Sequence, residues 1–250
     1  MLTRLGEAQI LLPAMALAAG WLAWRGAPRL ALAWAGATGL AAVLTTASKV
    51  AFLGYGIGWA ALDFTGFSGH AMFAAAVLPL LLRLAVGSLA PAGPDRPVRP
   101  TGQVVQHRQH VGLAAGFALA GAVALSRVMV GAHSWSESVA GFALGAAASV
   151  LALRWAGALP ALRSARWVPA ALLGWALLGV VGAPPSRTHD WVTRLALAQS
   201  GRSEPFRRWQ MHHPLRQHPA LRQQREPPLH GGAGRPLASP GRPAPSLQGH

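Results

Sequence analysis

The sequence predicts an all-α polytopic membrane bundle of about six transmembrane helices. Three observations predict it. Apolar residues make up 52% of the 250-residue chain. Charged residues make up only 12%, where soluble domains carry about 25%, so too little polar surface exists to cover a globule in water. Apolar runs close to the ~20 residues that cross a bilayer as a helix recur six times, with arginines between them.

The six runs extend from Ala8 to Trp24, Leu30 to Ala47, Ala71 to Ala90, Val111 to Val130, Ser138 to Leu159 and Trp167 to Gly182. The first is read as a membrane helix and not a signal peptide, because further apolar runs follow it and no cleavage site is evident. Most of the runs are Ala, Leu, Val and Gly. Small residues let helix backbones approach closely in lipid, and Gly112/Gly116 and Gly141/Gly145 are spaced for such packing. Between the third and fourth runs, residues 91–110 carry Pro91, Pro94, Pro97 and Pro100, a connector composition. The bundle is expected over residues 1–200. Residues 201–250 hold eight arginines, nine prolines and almost no apolar periodicity. Such a segment buries too little surface to offset its ordering entropy, which predicts a disordered tail.

Charge and composition narrow the partners. Net charge is +15, and Lys49 is the one lysine among 22 basic residues. The arginines bracket apolar spans and crowd the tail, so membrane lipids are the expected partners and nucleic acid is not. The chain has no cysteine, which excludes disulfides and thiolate chemistry. No apolar run carries a mid-span acidic residue, which argues against an ion-coupled transporter. Oligomeric state has no signature in the sequence. Alternate connections differ in charge: Arg25, Arg29, Arg96, Arg99, Arg108, Arg163 and Arg166 fall on one side, Arg4, Lys49 and Arg127 on the other. The positive-inside rule puts the first side in the cytoplasm.

Two polar islands interrupt the apolar runs, both on the expected outer face. Phe67-Ser68-Gly69-His70 opens the third run. There, unpaired N–H groups and the positive helix end suit a phosphate, the Ser68 hydroxyl can add a donor and His70 a proton. An ordinary helix start, with Ser68 as cap, is the alternative. The second island runs from Ser126-Arg127 to His133, with Glu137 four residues on. Arg127 offers a planar fork to phosphate oxygens. Glu137, one turn into the fifth helix, can take the Nδ1 proton of His133 and leave Nε2 free as a nucleophile. Ser134-Trp135-Ser136-Glu137 also reads as a helix capping box, and a buried Arg–Glu pair closing the bundle is a third reading. Lys49 is either a phosphate ligand or a snorkelling anchor. The stretch from Gly54 to Trp59 is rich in glycine and suits a turn, and Asp63 adds a carboxylate of no assigned role.

These islands resemble the membrane branch of the type 2 phosphatidic acid phosphatase superfamily, which shows KxxxxxxRP, PSGH and SRxxxxxHxxxD motifs around a six-helix bundle. The resemblance covers residues 40 to 200. Ser68-Gly69-His70 matches the second motif, with Phe67 for its proline. Ser126, Arg127, His133 and Glu137 match the third, with Glu for its Asp. The first motif keeps Lys49 but has Gly56-Ile57 where Arg-Pro belongs. What the resemblance implies is a phosphatase, of a lipid phosphomonoester or pyrophosphate, that uses no metal and no cofactor. His133 would form a phosphohistidine, Glu137 would orient it, and His70 would serve as acid and then base. Lys49, Ser68, Gly69 and Arg127 would hold the phosphoryl oxygens. The imperfect first motif leaves a non-catalytic lipid-phosphate binder as the alternative. A zinc enzyme using His70, His133 and Glu137 or Asp63 is a third possibility, with two cations placed poorly beside the metal.

Overall fold

The computed structural model describes residues 2–88, 102–156, 168, 171–172, 174–175, 179 and 187–212. Five long helices follow a 3-10 turn at Leu2–Gly6: α1 (Ala8–Trp24), α2 (Pro28–Tyr55), α3 (Gly69–Ser88), α4 (Gly102–Met129) and α5 (Trp135–Ala156). Two shorter helices come after them, α6 (Thr188–Ser200) and α7 (Arg208–His212). No strand occurs among the described residues; the one β-type pairing is an isolated bridge between Trp59 and Phe64.

The membrane character is visible in where the apolar side chains point. Helices α2, α3, α4 and α5 are long and apolar enough to cross a bilayer. Leu32, Leu40, Val43, Val139 and Trp155 stay exposed on their outer faces, where lipid and not water is the fitting solvent. Helix α1 is shorter, 17 residues or about 25 Å at 1.5 Å per residue. The sixth expected span, Trp167 to Gly182, lies largely outside the described residues.

Helix α3 sits at the centre, with Met72, Val77, Leu78, Leu80 and Leu81 fully buried among residues of α1, α2, α4 and α5. Its fit is steric. A Cβ at Gly112 would stand 2.5 Å from the Leu82 carbonyl oxygen, and one at Gly141 2.5 Å from that of Ser68. The small-residue pairs on α4 and α5 are therefore packing residues, as their spacing suggested. Two polar bonds lock the same helix. Trp34 Nε1 donates to the Ala76 carbonyl at 2.8 Å, and Ser149 Oγ to that of Ala75 at 2.7 Å. Pro79 has no N–H to offer Ala75 four residues back, so Ser149 satisfies a carbonyl that the helix itself leaves open.

Several boundaries differ from expectation. Helix α4 starts at Gly102, two positions after Pro100, so residues 102–110 are helical. Helix α2 continues eight residues past Ala47, which puts Lys49 within the helix, near its end. It stops at Gly56, whose left-handed φ of 71° lets Gly56 N–H reach the Phe52 carbonyl and Ile57 N–H that of Ala51. Residues 201–212, assigned to the tail by composition, fold against the bundle. Phe206 N–H donates to the Leu53 carbonyl at 2.8 Å, and the Phe206 ring packs on Gly56. Aromatic and arginine contacts supply the stability that apolar periodicity did not advertise, including Arg202 over the Phe206 ring. The remaining tail, 213–250, lies outside the described residues.

Candidate active site

The start of α3 is fixed from two sides. Phe67 N–H donates to Ser48 Oγ at 3.1 Å, and Ser48 Oγ donates in turn to the Thr45 carbonyl. A proline at position 67 has no N–H to make this bond, so the departure from the family motif has a structural counterpart. Ser68 N–H donates to the Glu137 carbonyl at 3.0 Å, and Gly141 leaves no gap against Ser68. Gly66, at a φ of 135°, lies against the Lys49 backbone and side-chain stem. Lys49 of α2 and His70 of α3 are thereby brought to one end of the bundle.

The turn from α4 to α5 brings the second island to the same end. The chain reverses at Gly131, φ 68°, and His133 N–H returns to the Arg127 carbonyl at 3.3 Å. Ser134 then caps α5 reciprocally. Its N–H donates to Glu137 Oε2 at 3.1 Å while Glu137 N–H donates to Ser134 Oγ at 3.3 Å. The capping box and the histidine pair coexist, because the same carboxylate oxygen lies 2.8 Å from His133 Nδ1. Glu137 Oε1 accepts from the N–H and hydroxyl of Thr65, the first at 2.8 Å. The carboxylate is fully buried.

A cavity of about 520 Å³ opens between these helix ends. Lys49, Gly69, His70, Arg127, His133 and Arg208 are its principal polar lining, and Leu12, Ala42, Leu53, Phe73 and Val192 contribute apolar walls. The N-terminal turn closes one side, with Gly6 packed directly on His70. His189, at the start of α6, also lines the cavity and is solvent-exposed. Burial lowers the proton affinity of His133 below that of a free imidazole. Its bond to Glu137 opposes the shift, and the charge of Lys49 adds to it. A neutral imidazole with Nδ1 bonded to a carboxylate presents Nε2 as a lone pair.

Two placements depart from expectation. Ser68 does not line the cavity: its N–H is taken by Glu137, its side chain is fully buried, and its Oγ finds no hydrogen-bond partner among the described residues. Gly141 of α5 packs against the Ser68 backbone. Conversely, Arg208 reaches the cavity from α7. Its Nη2 lies 2.9 Å from both Glu137 oxygens, and its Nη1 donates to the carbonyl and carboxylate of Asp63. An Arg–Glu pair exists with a buried carboxylate and a partly exposed guanidinium, and its arginine comes from the C-terminal segment. One arginine among eight in that segment carries no distinguishing sequence signal, though Asp63 marks a waiting acidic partner. Among the described residues, no three His, Asp or Glu side chains converge as a set able to hold a metal ion.

Residues 61–160 match the model of the PAP2 superfamily. The chain is 37% identical over 154 residues to "Uncharacterized 22.5 kDa protein in cps region" of Klebsiella pneumoniae, an alignment covering 59% of this chain and 64% of that one. The chain thus spans less than two thirds of that relative's length. No solved structure matches the chain. The matched segment runs from just before Thr65 to past the end of α5 and contains His70, Arg127, His133 and Glu137; with its apolar helices, this is a membrane protein whose central region matches the PAP2 superfamily.

Proposed function

We propose that this protein is a metal-independent lipid-phosphate phosphatase of a bacterial inner membrane, with its site on the outer face. One observation carries the reading. His133, bonded through Nδ1 to buried Glu137, shares a cavity with His70, Lys49 and Arg127. Superfamily membership supports phosphatase-type chemistry in general.

In the proposed reaction, Lys49, Arg127 and the free first-turn N–H of Gly69 hold the phosphoryl oxygens. His133 Nε2 attacks phosphorus, an N–P bond forms, and the bond to the lipid oxygen breaks. His70 gives that oxygen its proton. Water then attacks phosphorus, His70 takes back a proton, the N–P bond breaks, and inorganic phosphate leaves. The protein's part is positioning and charge neutralisation, which dominate phosphoryl transfer. Apolar walls beside the cations suit a phosphate attached to a lipid chain.

The test is phosphate release by purified protein from a panel of phosphatidic acid, phosphatidylglycerophosphate and undecaprenyl pyrophosphate, with and without EDTA. The expected result is turnover that survives EDTA and disappears in His133→Ala. Turnover abolished by chelation and restored by metal would overturn the mechanism. A second reading, a non-catalytic lipid-phosphate binder, is motivated by Gly56-Ile57, where a phosphate-gripping Arg-Pro is replaced and the Phe206 ring packs instead. Lipid binding without any phosphate release would select it.

A further inference from the structure

Arg208 is the feature of the site that neither motif spacing nor family membership assigns. It lies outside the matched segment, 71 residues from Glu137, yet it contacts both oxygens of that carboxylate. Its placement is built. Phe206 is bonded to Leu53, Gln210 Oε1 accepts from Arg207 N–H at 2.7 Å, and Asp63 grips the guanidinium from the other side. His212 in turn bonds Asp63 at 3.0 Å.

We propose that Arg208 is a positioning residue that sets the charge of the Glu137–His133 pair. The inference rests on the phosphatase reading above. A buried carboxylate bonded to an imidazole draws a proton onto it, and a doubly protonated imidazole has no lone pair with which to attack phosphorus. The charged and titratable groups around His133 come from six elements: Lys49 on α2, His70 on α3, Arg127 on α4, Glu137 on α5, His189 on α6 and Arg208 on α7, with Asp63 behind Arg208. Arg208 contacts both Glu137 oxygens through Nη2. It divides the negative charge with His133. Glu137 then fixes the ring's tautomer and orientation without holding a second proton on it.

The test compares Arg208→Gln and Arg208→Lys with the unaltered full chain, reading kcat/KM against pH, kcat and KM separately, and thermal unfolding in detergent. In Arg208→Gln the acid limb moves to higher pH, with roughly a tenfold loss of kcat/KM at pH 6 and about twofold or less at pH 8.5. Arg208→Lys keeps the charge but cannot bridge Glu137 and Asp63 together, so its limb falls between the two. A uniform loss at every pH, or a rise in KM with the limb unmoved, overturns the proposal. A second measurement is independent of turnover: NMR titration of the His133 ring, assigned by its loss in His133→Ala. An upward move of that titration in either Arg208 variant supports the proposal, and an unmoved titration overturns it. Absence of turnover in the unaltered protein would instead sink the phosphatase reading, and the NMR comparison would still judge Arg208. If Arg208→Gln does not fold, Arg208→Lys carries both measurements.

Discussion

Glu137 is ringed by donors: the His133 ring, the Ser134 N–H, the Thr65 N–H and hydroxyl, and the Arg208 guanidinium. A carboxylate has about four acceptor sites, so this one is saturated and its orientation is fixed. Glu137→Gln keeps the shape and replaces one acceptor oxygen with an NH2. The amide cannot accept from both the Thr65 and the His133 sides, and His133 loses its tautomer control. The expected outcome is a fall in kcat of roughly 10²–10⁴-fold with KM changed little, read from steady-state phosphate release. A loss confined to KM would show that Glu137 acts on binding instead. The sign of the pH dependence follows from burial of His133. Its folded proton affinity lies below the free value, so the neutral, attacking form persists as pH falls past about 6.5 and is lost only at lower pH. At this scale the sequence was readable where partners share a helix or a short turn. His133 and Glu137 are four residues apart, and their contact follows from helix pitch. Burial of Ser68 depends on packing between helices distant in sequence, which local spacing does not show. Arg208 was missed because a contact across 71 residues leaves no trace in local spacing.

Among the elements, α3 was the easiest to locate and the hardest to explain from sequence. Its apolar run announces a span, but Pro79 in the middle opposes a regular helix. The resolution is tertiary. Ser149 of α5 donates to the Ala75 carbonyl that Pro79 cannot serve. Ser149→Ala leaves that carbonyl unpaired in the buried core, at a cost of about 1–3 kcal/mol. Pro79→Ala returns the N–H four residues on, so the same Ser149→Ala change should cost less in that background. A double-mutant cycle on thermal unfolding in detergent measures the difference. Equal effects in both backgrounds would show that Ser149 does not compensate for the proline. The helix ends follow the same logic. The prolines from Pro91 to Pro100 lie outside the described residues, but the chain is helical from Gly102, sooner than apolarity alone indicated. Polar residues of its first turns, such as Gln106 and Arg108, extend a helix without extending its apolar run. Residues 201–212 reversed the compositional reading because a few aromatic and ionic contacts suffice to dock a short segment on a rigid surface.

The molecule as a whole places its cavity at one end of an up-and-down bundle, and the charge at the two ends decides which way it faces. Helices α1, α3 and α5 start at the cavity end, and α2 and α4 finish there. The opposite end carries the short α1–α2 turn with Arg25 and Arg29, and Arg154 in the last turn of α5. The cavity end carries Lys49, Arg127 and Arg208, all in the cavity wall. Positive-inside bias is strongest in short loops and in the first helices, which favours the Arg25–Arg29 turn as cytoplasmic and the cavity as external. The cysteine-free chain makes this directly measurable, since one introduced thiol is the only reactive one. Trp24, 80% exposed, stands at the far end, and Trp135, 63% exposed, at the cavity end. With a membrane-impermeant maleimide on intact spheroplasts, Trp135→Cys should label at once and Trp24→Cys only after permeabilisation. The reverse pattern would turn the cavity inward. In that orientation, the arginines after residue 186 and not the α1–α2 turn would set topology, and the substrate would be a phosphate of the inner leaflet.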